Sequence, residues 1–274
     1  MPRVLKAVVL SALTIVTGSL AVVSPAVAVA APVPPVLARA LRIMPVGDSI
    51  TRGGGQVAGQ YLGYRLALQK QLRSGAAGVK VDFVGSMLDK GVADGNHEGH
   101  GGWTIDMLAA NIDRWMVAYR PDVVLLHAGT NNITLRDSPA LTAIKLHSLI
   151  AQIRGHNPAT KIFVAKVIKS RDPNRQPATN AYQSLIPGVV AASGPNVYLV
   201  DQSTVSGSDI YDWTHPNDFG YSKMAYNWYR SLNVVIGGAK WKSMTSPYRA
   251  KTATICQVHY GLAGKRICKV RAVN

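Results

Sequence analysis

Apolar positions along the chain switch between two periods. Leu41–Val46 is an apolar run closed by Gly47, and helical spacing follows over Tyr61–Arg73. Val79–Gly85 alternates as a strand does, and Thr104–Tyr119 places Ile105, Leu108, Ile112 and Trp115 on one helical face. Asp122–His127 is a short continuous apolar run, the pattern of a strand covered on both sides. Pro139–Gly155 then reads as a helix, Lys161–Ile168 as a strand, Ala178–Ala192 as a helix, Asn196–Val200 as a strand and Asn217–Val235 as a long last helix. Strands alternating with helices need crossover connections. The pattern over 41–236 therefore predicts an α/β domain of three layers, α/β/α, with a five-stranded parallel sheet. In such a sheet, side chains that do chemistry are expected in the loops at the carboxyl ends of the strands.

The flanking segments follow other rules. Arg3 and Lys6 precede an apolar stretch from Ala7 to Val23, and small residues follow at Ala26, Ala28 and Ala30. That order predicts a secretory signal peptide over 1–30, with 31–40 as a Pro- and Ala-rich linker. No later segment has the apolar length of a membrane span, so an exported protein without a transmembrane segment in its mature form is expected. In an oxidising compartment, Cys256 and Cys268 read as a disulfide that closes a short loop.

The net charge of +16 is unevenly spread. Segment 1–30 accounts for two of those charges, and residues 237–274 hold eight Lys or Arg and no acid. Only +6 is left for 31–236. Residues 237–274 are thus expected to form a separate basic C-terminal extension. Such a tail can hold an anionic polymer by long-range attraction, or serve only as a solvated appendage. A specific nucleic-acid partner is not expected, and the chain is expected to be a monomer.

Four short segments carry candidate chemistry, each just after a predicted strand or before the last helix. Gly47-Asp48-Ser49-Ile50-Thr51 puts a serine at a tight strand-to-loop transition, where its hydroxyl can be exposed. Gly129-Thr130-Asn131-Asn132 offers a side-chain amide that can donate to a developing oxyanion. In Asp212-Trp213-Thr214-His215-Pro216-Asn217 a carboxylate can reach an imidazole on the same loop, fix its tautomer and stabilise its cation. His97-Glu98-Gly99-His100-Gly101-Gly102-Trp103-Thr104 invites a metal reading. Its spacing is not that of HExxH, however, and no third ligand is evident, so neither metal nor cofactor is expected. Any one of these segments could be an ordinary turn or helix cap. Their shared placement on one rim raises all four.

Together the four blocks resemble the SGNH (GDSL-type) hydrolases, whose naming Ser, Gly, Asn and His match Ser49, Gly102, Asn131 and His215. The resemblance runs from about Leu41 to Val235. The HEGHGGWT and HPNDFGYSKMA stretches look most like the family-three carbohydrate esterases, which include acetylxylan esterases. It implies a flavodoxin-like fold and a secreted serine esterase that removes short acyl groups, acetyl above all, from carbohydrate. Ser49, Asp212 and His215 would form the triad, and Ser49, Gly102 and Asn131 the oxyanion hole. Asp48, His97, Glu98, His100 and Trp103 are expected to line the substrate pocket. Two alternatives stay open: an extracellular lipase or phospholipase of the same family, and a non-catalytic polysaccharide-binding protein on this scaffold. One departure stands out. Asn132 occupies a position where many relatives carry Asp, which touches the contacts around the site rather than the reaction itself.

Overall fold

A computed structural model describes residues 39–54, 62–74, 80–90, 92–237, 241–259 and 265–273. The signal peptide expected over 1–30, and all of the linker but Arg39 and Ala40, lie outside the described residues.

The central sheet is built from β1 (Leu41–Gly47), β2 (Val81–Phe83), β5 (Val123–His127), β6 (Lys161–Lys166) and β7 (Val197–Asp201), all parallel. Across it they run β2-β1-β5-β6-β7. These are the five strands expected from the sequence. Two short strands add to them. β4 (Asn96–Gly99) pairs in parallel with the end of β1, Val46 opposite Glu98 and Gly47 opposite Gly99, and β3 (Met87–Leu88) pairs antiparallel with β4. The first half of the glycine-rich block, read as a loop, is therefore a strand. Its polar residues hid it, because they are buried by side-chain hydrogen bonds rather than by apolar contact.

Helices cover both faces. α3 (Ile105–Tyr119), α5 (Pro139–His156) and α6 (Gln176–Ala192) pack on one side, where Leu108, Ile112, Trp115, Leu149, Ile150 and Ile186 meet Met44, Val124 and Val164. α2 (Gly63–Ser74) and α7 (Asp218–Leu232) pack on the other, with Tyr64, Leu68, Met224 and Trp228 against Ile43, Leu125 and Phe163. Alternate residues of each strand thus feed opposite cores. β5 is buried along its whole length, which is why it reads as an unbroken apolar run. Helix starts are set by local chemistry. Ser138 accepts the Leu141 N–H ahead of Pro139 to open α5, and Asn217 accepts the N–H groups of Phe219 and Gly220 to open α7.

Of residues 237–274, expected as a separate appendage, described side chains pack into this domain. Trp241 is buried in the core beneath α7. β8 (Thr252–His259) and β9 (Lys265–Ala272) form an antiparallel hairpin in which Cys256 lies opposite Cys268, and the two are disulfide-bonded. Ile255 and Val273 dock that hairpin on Phe219 of α7. Each such side chain taken from water contributes about 1.5–3 kcal/mol, so the hairpin is held by packing as well as by its disulfide. The anchors escaped the sequence reading because they are isolated apolar residues among many cations. Among the described residues, no helix is long and apolar enough to cross a membrane.

Candidate active site

β1 ends against its neighbours so tightly that a Cβ on Gly47 would lie 2.2 Å from the carbonyl oxygen of His127 in β5. Beyond Gly47 the chain turns at once into α1 (Ser49–Arg52), a single helical turn capped by Asp48, whose Oδ1 accepts the Ile50 N–H at 2.9 Å. Ser49 is therefore the first residue of a helix, at the carboxyl end of a central strand. Its own N–H has no partner among the described residues, as expected of a first helical position.

His215 comes to this serine from the loop before α7. Its Nε2 lies 2.8 Å from Ser49 Oγ, and its Nδ1 lies 2.8 Å from Asp212 Oδ2. Asp212 Oδ1 accepts the backbone N–H groups of Thr214 and His215, both at 2.7 Å. Burial pushes the Asp212 carboxyl up, but the His215 ring and those N–H groups outweigh it and hold the carboxyl at about 2. Burial lowers the His215 pKa, and Asp212, by hydrogen bond and charge, more than reverses this, so that it ends above the ordinary value of 6.5. Asp48 adds to the rise through its charge. Gly54 leaves the imidazole room, since a Cβ there would lie 2.6 Å from His215 Cδ2.

Two further donors follow β4 and β5, the strands paired with the end of β1. Gly102 has a φ of 80°, a conformation that favours glycine, and its N–H has no partner among the described residues. Asn131, in α4 (Thr130–Thr134), donates one amide hydrogen to the Trp103 carbonyl at 2.9 Å, which leaves the other available. The His100 ring lies nearly parallel to those of Trp103 and Trp115, with centroids 4.0 and 5.1 Å away, and the two indole centroids are 6.1 Å apart. Half-buried Trp103 thus packs in a three-ring cluster whose third member, Trp115, is buried in the core.

The residues expected to line a substrate pocket divide. His100 and Trp103 reach the rim, but His97 and Glu98 are wholly buried and bonded inside the protein. His97 accepts the Gly99 N–H at Nδ1, and its Nε2 lies 3.0 Å from Asp89, which also pairs with Arg65. Glu98 takes the N–H and hydroxyl of Ser86 and lies 2.9 Å from His100 Nε2. Both side chains are enclosed by the protein and hold β4 and the glycine turn in place. Asp48 is likewise buried behind the nucleophile rather than lining a pocket. Burial pushes its carboxyl up to about 6 against the opposing pulls of the Ile50 N–H, His215 and Thr130. Asn132, the departure noted above, accepts the Ile105 N–H and donates to Asp137 at 2.8 Å, with Asp106 at 3.4 Å. A carboxylate there would lose the donated bonds and face Asp106 and Asp137, which Lys145 already bridges, so the amide suits this chain's neighbours.

Three further residues bear on the site: Arg65 and Asp89, which lock His97, and Trp213, which is 61% exposed on the loop that carries Asp212 and His215. Arg65 had no sequence signal, being one cation in an amphipathic helix. Trp213 had one, since it lies inside the Asp-x-x-His block.

A hydroxyl, an imidazole and a carboxylate in line, at the carboxyl end of a parallel α/β sheet, form the arrangement that serine hydrolases use for acyl transfer. Residues 46–223 match the model of the GDSL-like lipase/acylhydrolase family, and the chain belongs to that family. A family 3 carbohydrate esterase from Clostridium thermocellum is 36% identical and superposes with a TM-score of 0.63, over 73% of this chain and 100% of that one. A family 3 carbohydrate esterase from Talaromyces cellulolyticus is 28% identical, with a TM-score of 0.62 over 72% of this chain and 99% of that one. A multidomain esterase from Ruminococcus flavefaciens is 27% identical over 236 residues, or 77% of this chain. The chain spans 57% and 31% of the lengths of two curated relatives, a putative endoglucanase X from Acetivibrio thermocellus and the multidomain esterase.

Proposed function

We propose that this protein is an exported serine esterase that removes acetyl or similarly short acyl groups from carbohydrate. The observation that carries the reading is the unbroken line from Ser49 Oγ to His215 to Asp212, with 2.8 Å at each step. Ser49 attacks the ester carbonyl while His215 Nε2 takes its proton, and Asp212 holds the proton on Nδ1 and stabilises the imidazolium. The N–H groups of Ser49 and Gly102 and the free amide hydrogen of Asn131 receive the oxyanion. In serine hydrolases such a donor supplies about 3–4 kcal/mol of transition-state stabilisation. His215 then passes its proton to the departing alkoxide. Water, deprotonated by His215 in turn, releases the acid. Acetyl and carbohydrate are favoured by the similarity to family 3 carbohydrate esterases. Export rests on the basic-then-apolar pattern of residues 1–30. The cations of residues 237–274 are read as a contact for an anionic polymer.

The test is acetate release from acetylated xylan and from p-nitrophenyl acetate, with Ser49→Ala as the control. Release from both, lost in the variant, is expected. Hydrolysis of the small ester alone, or faster hydrolysis of octanoyl than of acetyl esters, would move the substrate to lipids. Inactivity on every ester would leave a binding protein on a hydrolase scaffold.

A further inference from the structure

We infer that Trp213 is the platform on which the ester-bearing sugar ring stacks, and that it sets which acceptor is held at Ser49. The inference rests on the carbohydrate-ester reading above. An indole is costly to leave in water, and Trp115, Trp228 and Trp241 are all buried, yet Trp213 is 61% exposed.

The loop beneath that ring is firmly tied. The Trp213 carbonyl accepts the Arg171 N–H and the Ser170 hydroxyl, both at 3.0 Å. The Arg171 guanidinium donates to the Ile210 carbonyl at 3.1 Å, and the Tyr211 N–H donates to the His215 carbonyl at 2.7 Å. Asp212 Oδ1 closes the other side on Thr214 and His215. A large apolar ring is therefore presented to solvent on a frame already fixed, so stacking on it costs little ordering of the loop.

The chemistry says which part of the substrate comes to that side. When the acyl-enzyme forms, the bond between the carbonyl carbon and the sugar oxygen breaks, and His215 delivers the proton taken from Ser49 to that oxygen. The sugar is the leaving group, so it must lie on the His215 side of the reacting carbon. Trp213 is two residues from His215, a backbone separation of at most about 7 Å. Trp103, by contrast, lies beside Gly102 and Asn131, where the oxyanion is received. A pyranose has an apolar face of axial C–H groups, and a flat ring stacked on an aromatic side chain is a recognition mode that tolerates differences in hydroxyl pattern. Nucleobases, the measured analogue, lose about tenfold in affinity or more when such an aromatic is removed.

The experiment compares kcat/KM on acetylated xylo-oligosaccharide with kcat/KM on p-nitrophenyl acetate in wild type, Trp213→Ala and Trp213→Phe. The ratio of the two is expected to fall about tenfold in the Ala variant, through KM of the sugar ester, and to return to within about threefold in the Phe variant. Tryptophan emission is read alongside. Xylohexaose should quench it in wild type and lose most of that quenching in Trp213→Phe, a readout that does not need the Ala variant to fold. An unchanged ratio in Trp213→Ala, or equal quenching in wild type and Trp213→Phe, overturns the inference while the esterase reading stands. A wild type that cleaves p-nitrophenyl acetate but no sugar ester overturns the carbohydrate reading and this inference with it.

Discussion

Replacing Asp212 by Asn changes a single atom of the site, yet its consequence can be worked through atom by atom. The Asn oxygen can keep the two backbone donors that Oδ1 now holds at 2.7 Å, so the loop stays closed. The NH2 group then faces His215 Nδ1 in place of the carboxylate oxygen now 2.8 Å away. Two N–H donors cannot face each other, so the neutral imidazole moves its proton to Nε2. There it points at Ser49 Oγ and donates to the group it must deprotonate. The same swap beneath a fully buried triad costs about ten thousandfold in kcat. Here the Asp212 side chain is 39% exposed, and water can solvate part of the imidazolium. We expect a loss of about a thousandfold in kcat/KM, or about 4 kcal/mol of barrier. Steady-state hydrolysis of p-nitrophenyl acetate across pH measures it. In the wild type activity should fall as the pH drops through a His215 pKa above 6.5, because the base must be neutral. In the variant that limb should move to lower pH, since the charge that raised the pKa is gone. An Asp212→Asn enzyme that kept more than about a tenth of kcat/KM, with its limb unmoved, would refute this tautomer argument.

Three further outcomes follow from the same geometry. Asn131→Ala removes an oxyanion donor, so kcat should fall about a hundredfold or more with KM within about threefold; a loss confined to KM would reassign Asn131 to ground-state binding. Glu98→Ala removes a wholly buried carboxylate that ties Ser86 and His100 to β4, and should cost about 2 kcal/mol in a denaturant titration. An unchanged midpoint would mean that water takes over those contacts. Lys269 and Arg271 are exposed on β9 without an ion pair among the described residues. The double variant Lys269→Ser, Arg271→Ser should wash from an anionic polysaccharide at lower salt than wild type; equal retention would dismiss the hairpin as the contact. Substitution is the better test than truncation, because removing 237–274 would also strip Trp241, Ile255 and Val273 from their buried positions.

Much of this protein is written in local pattern. The five parallel strands and the main helices follow from the period of apolar residues, because a strand covered on both faces, such as Val123–His127, must be apolar throughout. Asn217 marks the start of α7 because a side-chain oxygen there satisfies helix N–H groups that nothing else reaches. The serine, asparagine and histidine blocks were legible because each lies where a parallel sheet exposes its loops. Other features are products of distance along the chain brought to zero. Ser49 and His215 are separated by 166 residues, and only the sheet order puts their atoms 2.8 Å apart. His97 and Glu98 looked like pocket residues because polar side chains near glycines usually meet solvent. Arg65, Asp89 and Ser86 instead close around them, and only tertiary packing can supply such partners to a buried charge. The basic tail shows the same division. Its charge is a property of composition, but its docking on α7 depends on two or three apolar side chains finding Phe219, a match that no local pattern encodes.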